Sequence, residues 1–183
     1  MVGKQASRTA TIEVPVIYIK DKQAFIRAKG IMRLLGPAVE AVKKLSDKYI
    51  LFHIIDLDLK KGSTANFDIY DKLTYFTHIE VECEDGKAMG KLAKMNARVA
   101  LRLPTPLRLE NLNKKLLVGI VEDQEADLSF VNDVIIAVDD EKKAKEITKK
   151  CVKEKKRIMV YEGKIYEELC KIADIWAVIL AQP

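Results

Sequence analysis

Carboxylates recur at one kind of place in this chain: directly after an apolar, β-rich run. Asp56 with Asp58, Glu80 with Glu82, Glu122 with Asp123, Asp139 with Asp140, and Glu162 all stand there. Lys20, Arg102 and Gln182 occupy equivalent positions after other runs. Converging acids need a counter-charge. A hard divalent cation such as Mg²⁺ could supply it through carboxylate oxygens, but Lys20 and Arg102 could supply it without any ligand. The expectation is therefore an internal bridge centred on Arg102, paired with Glu80 or Glu82, and no resident metal or cofactor. A plainer role competes with both, because an acid just before a helix caps it and suits its dipole. Asp123 and Asp140 are placed for that. His53 and His78 lie inside strands. His53 reads as a hydrogen-bonded core residue, whereas His78 shares strand parity with Glu80 and Glu82. Cys83, Cys151 and Cys170 have no metal-type spacing and are odd in number, so they read as packing thiols. A nucleophilic role for Cys83 would need an electropositive setting that two histidines scarcely provide.

The elements that must hold these residues alternate in type. Strand-like runs fall at residues 14–20, 50–57, 76–81, 98–103, 116–121, 133–138, 157–161 and 176–181. Between them lie helical candidates: a stretch with Leu34, Leu35, Ala38, Val42 and Leu45 at helical spacing, then 67–73, 87–96, 107–113, 124–130, 141–155 and 164–173. Alternation of this kind implies parallel strands and right-handed crossovers. Eight such units predict a short TIM-type (βα)8 barrel lacking its last helix, with an open doubly wound parallel sheet as the alternative. In a barrel the strand C-terminal ends form the functional face. The candidate ligand-binding residues there are Tyr18, Lys20, Asp56, Asp58, Glu80 and Arg102.

Three segments carry a resemblance. Residues 15–26 read PVIYIKDKQAFI, residues 37–58 read PAVEAVKKLSDKYILFHIIDLD, and residues 62–73 read GSTANFDIYDKL. In order and spacing they resemble the histidine-biosynthesis isomerase that acts on phosphoribosyl-formimino aminoimidazole carboxamide ribotide. They match its opening strand and hairpin, its first helix and second strand ending at His53, Asp56, Leu57 and Asp58, and the asparagine opening its second helix (Asn66). The match spans about the first 75 residues. It implies a (βα)8 barrel with a catalytic aspartate on the first strand and two glycine-rich phosphate grips. Tyr18 stands at the aspartate position, and a phenol is a poor general base at neutral pH. No two of the eight glycines are adjacent. Glu82-Cys83-Glu84 replaces one expected Gly-Gly turn and a lone Gly163 the other, while Arg102-Leu103-Pro104 stands where the family has Gly-Thr. An acid where phosphate should sit repels it.

Composition bounds the rest. At 183 residues the chain suits a single domain, with residues 1–10 read as a tail. Its apolar runs are far shorter than the roughly 20 residues a membrane span needs, and the first ten residues lack a signal's apolar core. A soluble cytoplasmic protein is expected. Lys, Glu and Ile are abundant and Gln scarce, a composition that suits thermophiles. The net charge of +5 comes from 32 basic and 27 acidic side chains. The basic stretch 142–157 also carries an apolar stripe and interleaved glutamates, so it reads as a solvated helix rather than a nucleic-acid surface. The function expected is that of a divergent relative of the isomerase, a non-catalytic binding or assembly protein whose partner is a small molecule or a protein. The alternative is an enzyme or metabolite binder with a rebuilt acidic pocket. Loss of the eighth helix would leave an apolar outer wall and favour a homodimer.

Overall fold

A computed structural model describes residues 10–180. β1 (Ile12–Lys20) runs into a hairpin of β2 (Gln23–Ala28) and β3 (Ile31–Pro37), then α1 (Ala38–Leu45). β4 (Leu51–Asp56), α2 (Phe67–Leu73), β5 (His78–Glu82), α3 (Gly86–Lys94) and β6 (Arg98–Leu103) follow. The second half contains β7 (Leu117–Val121), β8 (Asp133–Ile136), α4 (Glu141–Lys153), β9 (Arg157–Tyr161), α5 (Lys164–Leu169) and β10 (Ala177–Leu180). β1 and β4 to β10 form a parallel sheet in chain order, and β10 pairs back onto β1 with Ile12 opposite Ala177 and Pro15 opposite Leu180. That pairing closes an eight-stranded barrel, so the open-sheet alternative does not hold. Gln182, and any element after Leu180, lies outside the described residues, as does most of the expected tail.

Strand alternation divides the apolar side chains into two clusters. Val14, Val16, Leu51, Ala100, Ile120 and Met159 fill the barrel axis. Ile17, Phe52, Ile79, Leu92, Leu101 and Ile147 belong to the layer between barrel and helices. α4 buries Ala144, Ile147, Thr148 and Cys151, the apolar stripe within the basic stretch.

Three expected helices take other forms. Leu34 and Leu35 belong to β3, not to the first helix. Gly36, at φ +117°, and Pro37 break the chain there, and α1 begins at Ala38. The hairpin is built from two tight turns, Asp21-Lys22 and Lys29-Gly30, in which both residues have positive φ, as the twist of a two-residue hairpin requires. Residues 107–113 and 124–130 are loops. In the latter, Asp123 accepts from Glu125 N at 2.9 Å and Asp127 from Ser129 N at 2.9 Å, side-chain bonds that compete with helical ones. Lys150 Nζ takes the carbonyls of Gln124 and Ala126 at 2.8 and 2.6 Å. Such a loop can lie close to the barrel wall. Leu128 and Val131 are buried there, and a Cβ at Gly119 would stand 2.6 Å from Leu103 and 3.3 Å from Val131. Asp123 therefore caps no helix, while Asp140 does cap α4, accepting from Lys143 N at 2.7 Å.

The exposed apolar surface also falls elsewhere than expected. On β10, outward-facing Val178 is only 7% exposed, whereas Ile31 and Leu34 on β3 are 64% and 61% exposed. The sheet order ends at β3, whose outer edge faces no further strand among the described residues.

Candidate functional site

One run of ionised side chains threads the barrel. Val16, His53, Glu80 and Arg98 are lateral neighbours on β1, β4, β5 and β6, so the three polar ones share a level. His53 has no solvent exposure. Its Nδ1 lies 2.8 Å from Glu80 Oε1 and its Nε2 3.0 Å from Glu82 Oε1. Above, Lys60 on the short 3₁₀ turn Leu59–Lys61 reaches Glu82 at 3.2 Å. Below, Arg98 approaches Glu80 at 3.5 Å and bonds Asp133, which Arg157 grips with Nε at 2.6 Å and Nη2 at 2.7 Å. Trp176 closes the lower end beneath both guanidiniums, its ring 3.9 Å from Arg157 Cζ and 5.3 Å from Arg98 Cζ. Charge alternates at every step.

This packing fixes protonation states. Burial works against a charged imidazole at His53, but its bonds to Glu80 and Glu82 outweigh that penalty and raise it to about 9. Burial likewise pushes the Glu82 carboxyl up, and the bond from His53 overrides it, holding Glu82 at about 2. Burial raises the Tyr161 phenol, and the charges of Glu82 and Glu80 raise it further. Burial also raises the Cys83 thiol, consistent with a packing role.

At the strand C-terminal ends two cavities share a wall made by Arg102 and Ile120. One, of about 510 Å³, is lined by Lys60, Glu82, Glu84, Asp85 and Arg102. The other, of about 590 Å³, is lined by Arg102, Glu122, Asp139, Tyr161, Glu162 and Lys164. Arg102 bonds Glu122 and approaches Glu84 at 3.9 Å, all three being largely exposed. It does not pair with Glu80 or Glu82, whose partners are His53, Arg98 and Lys60. The register of β5 and β6 explains this, since Arg98 rather than Arg102 lies opposite Glu80.

The other expected site residues are dispersed. Tyr18 is half-buried at the upper barrel axis, between Phe25 of β2 and Ile55 of β4. Lys20 is exposed at the end of β1. Asp56 faces outward, away from the mouth, and is wholly buried. It accepts from Asp58 N, Leu59 N, Asn66 Nδ2 and the Tyr70 hydroxyl at 2.6–3.0 Å. Asp58 ties this knot to the hairpin through Asp21 N at 2.7 Å, and that bond, with a second from Asn66, holds its carboxyl below the usual range. Asn66 completes the tie by accepting from Lys22 N at 3.1 Å. His78 keeps its expected parity but opens to solvent at the opposite end of the barrel. Among the described residues no three His, Cys, Asp or Glu side chains converge as a metal site would require. Arg98, Asp133 and Arg157 were not foreseen. Each opens its strand, and the four-residue spacing of Arg98 and Arg102 was the available signal.

No helix of the described residues is long and apolar enough to cross a membrane. No protein-family model matches the chain, and no curated protein matches it. Among solved structures it is similar to an HpcH/HpaI aldolase from Desulfitobacterium hafniense DCB-2, at a TM-score of 0.62 and 7% identity, over 93% of this chain and 85% of that one. At that identity the likeness speaks for architecture alone, and with the β10–β1 closure it establishes the chain as a TIM-type α/β barrel.

Proposed function

We propose that this barrel binds a small cationic metabolite at its C-terminal mouth without transforming it, and that it descends from the isomerase its first 75 residues resemble. One observation carries the reading: the imidazole buried within the barrel, that of His53, has both ring nitrogens held by carboxylates. A general base needs a free lone pair and an affinity for protons matched to the working pH. His53 lacks the first, and Glu82 is held too acidic for the second. Tyr18 stands where the resemblance implies the catalytic aspartate. The choice of ligand follows from charge. Glu84, Asp85, Glu122, Asp139 and Glu162 surround the cavities, against Arg102, Lys60 and Lys164. That balance repels a bis-phosphorylated sugar and attracts an amine. Thermal-shift titration with spermidine and with ribulose 1,5-bisphosphate tests the preference, alongside an assay of the isomerase substrate. Stabilisation by spermidine alone and no turnover are expected. Turnover of about 1 per second or faster, as for ordinary enzymes, or stabilisation by the bisphosphate, would overturn the reading.

A second reading, assembly, is favoured by β3, whose exposed apolar side chains and open edge suit pairing with another strand. Light scattering at high micromolar concentration tests it. A mass twice the 20.7 kDa of one chain, reduced to that value by Leu34→Lys, is the expected result. A monomer at all concentrations removes it.

A further inference from the structure

The opposite mouth of the barrel also holds a cavity, of about 440 Å³, within the range of about 300–1,000 Å³ usual for small-molecule sites. Its walls are Ile12, Ile50, Leu51, Arg98, Arg157 and Trp176, with His78 at the rim. We propose that this N-terminal mouth is a binding site for a small organic monoanion with a compact apolar body, such as an aromatic or branched monocarboxylate.

The charge inventory gives the sign. In the run through the barrel the cationic members are Lys60, His53, Arg98 and Arg157, and the anionic ones are Glu82, Glu80 and Asp133. One positive charge is left over. At this end Arg98 lies between Glu80 and Asp133, and Arg157, 45% exposed, ends the run with only a share of Asp133, so its charge is the one available to an incoming anion. Donor capacity is also left. Arg157 spends Nε and Nη2 on Asp133 and keeps its remaining donors, while deeper in the run Arg98 Nε and Glu80 Oε2 are both buried with no hydrogen-bond partner among the described residues. A guanidinium carries five N–H donors, and its fork matches a carboxylate. The walls define the rest of the ligand. Ile12, Ile50 and Leu51 offer hydrocarbon, with Ile50 59% exposed at the rim, and Trp176 offers an aromatic surface beside the guanidiniums. Apolar walls and one surplus charge suit a monoanion better than a phosphate dianion, whose second charge would enter without compensation. The two mouths lie at opposite ends of the barrel, and a failure of binding at either end leaves the other untouched.

Trp176 is the only tryptophan of the chain, so its emission reports this cavity directly. Benzoate titrated into the full chain should change that emission saturably. Benzamide, of the same shape but uncharged, should bind at least about tenfold more weakly, equal to about 1.4 kcal/mol. Ile50→Asp places a carboxylate at the rim without touching any member of the charged run, and should weaken benzoate binding by at least about tenfold, again about 1.4 kcal/mol. Ile50→Gln, polar but neutral, loses the same hydrocarbon without adding a charge and should weaken binding clearly less than Ile50→Asp, separating charge from lost packing. Emission that stays constant into tens of millimolar benzoate, roughly the weakest binding of interest, overturns the proposal. So does benzamide binding as tightly as benzoate. Equal benzoate affinities in Ile50→Asp and Ile50→Gln would overturn it as well. If the Asp variant fails to fold, the comparison of benzoate with benzamide on the unaltered chain decides.

Discussion

Arg98 and Arg102 lie four residues apart on β6 and share strand parity, so both face the barrel interior, and each meets a carboxylate further round, Asp133 at the start of β8 and Glu122 just after β7. At the lower end the Asp133 side chain has no exposure and that of Arg98 is 12% exposed. At the upper end Arg102 and Glu122 are 54% and 56% exposed. Each arginine stands between two carboxylates, Glu80 and Asp133 below and Glu84 and Glu122 above, and the plainest difference is the depth of water, although Asp133 is also gripped by Arg157. Depth decides what each pair does. A buried pair need not stabilise the fold relative to apolar residues, yet losing one partner leaves a charge stranded. An exposed pair gains little and loses little, and its charges remain available to a ligand.

Removing Asp133 should give the largest effect. Asp133→Ala leaves two guanidiniums without their shared acceptor, one of them nearly buried, and should cost about 3–5 kcal/mol in urea unfolding. A loss below about 1 kcal/mol would erase the distinction between the two ends, since exposed pairs reach that value.

A middle-sized effect should appear with pH. His53 is raised from its ordinary 6.5 to about 9, so its contribution is full below 6.5 and fades as pH climbs through 9. Glu82 is lowered from 4.5 to about 2, so its contribution is full above 4.5 and fades as pH falls through 2. The melting temperature of the unaltered chain should therefore peak between pH 4.5 and 6.5 and decline toward 9. In His53→Gln the alkaline decline attributable to the imidazole should vanish, and a parallel decline in both proteins would refute that assignment. Next comes the knot outside the mouth: Tyr70→Phe removes one of the four donors on buried Asp56 and should cost about 1–3 kcal/mol. The smallest effect belongs to Arg102→Ala, within about 1 kcal/mol of the unaltered chain, with no change on adding millimolar Mg²⁺. A larger loss would mean that the upper pair is more shielded than its exposure implies.

The alternation of strand and helix was legible in the apolar runs and their spacing; eight such runs suited a barrel, and the resemblance of about the first 75 residues favoured it over an open sheet. Residues 67–73 form a helix over the expected span, where their apolar spacing leaves no competing pattern. Leu34 and Leu35 misled because a helix and a strand each tolerate two adjacent apolar residues, and Gly36-Pro37 was the stronger signal. Residues 124–130 misled because Asp123 and Asp127 bond their own backbone, a local competition that periodicity does not register. At the site, the shared parity of Glu80 and Glu82 was visible from the sequence, but the choice of partner was not. Register between β5 and β6 made Arg98 the neighbour of Glu80, and register depends on how the whole barrel closes. Asp56 looked like a mouth residue because it ends a strand. Its parity with Phe52 and Ile54, both in the outer layer, would have turned it away.

The seam between β1 and β10 joins remote parts of the chain: Thr11 Oγ1 donates to Ile175 O at 3.1 Å across 164 residues. In a closed ring of strands the covalent order has no privileged starting point. Linking the end of β10 to the start of β1 and opening the chain within the loop between β7 and β8 would preserve every strand neighbour and every member of the charged run. Because β10 and β1 are parallel, the linker of such a circular permutant would have to cross the length of the barrel as the other connections do, and loop-closure entropy changes only slowly with length. The architecture is thus cyclic in its energetics although the polypeptide is linear.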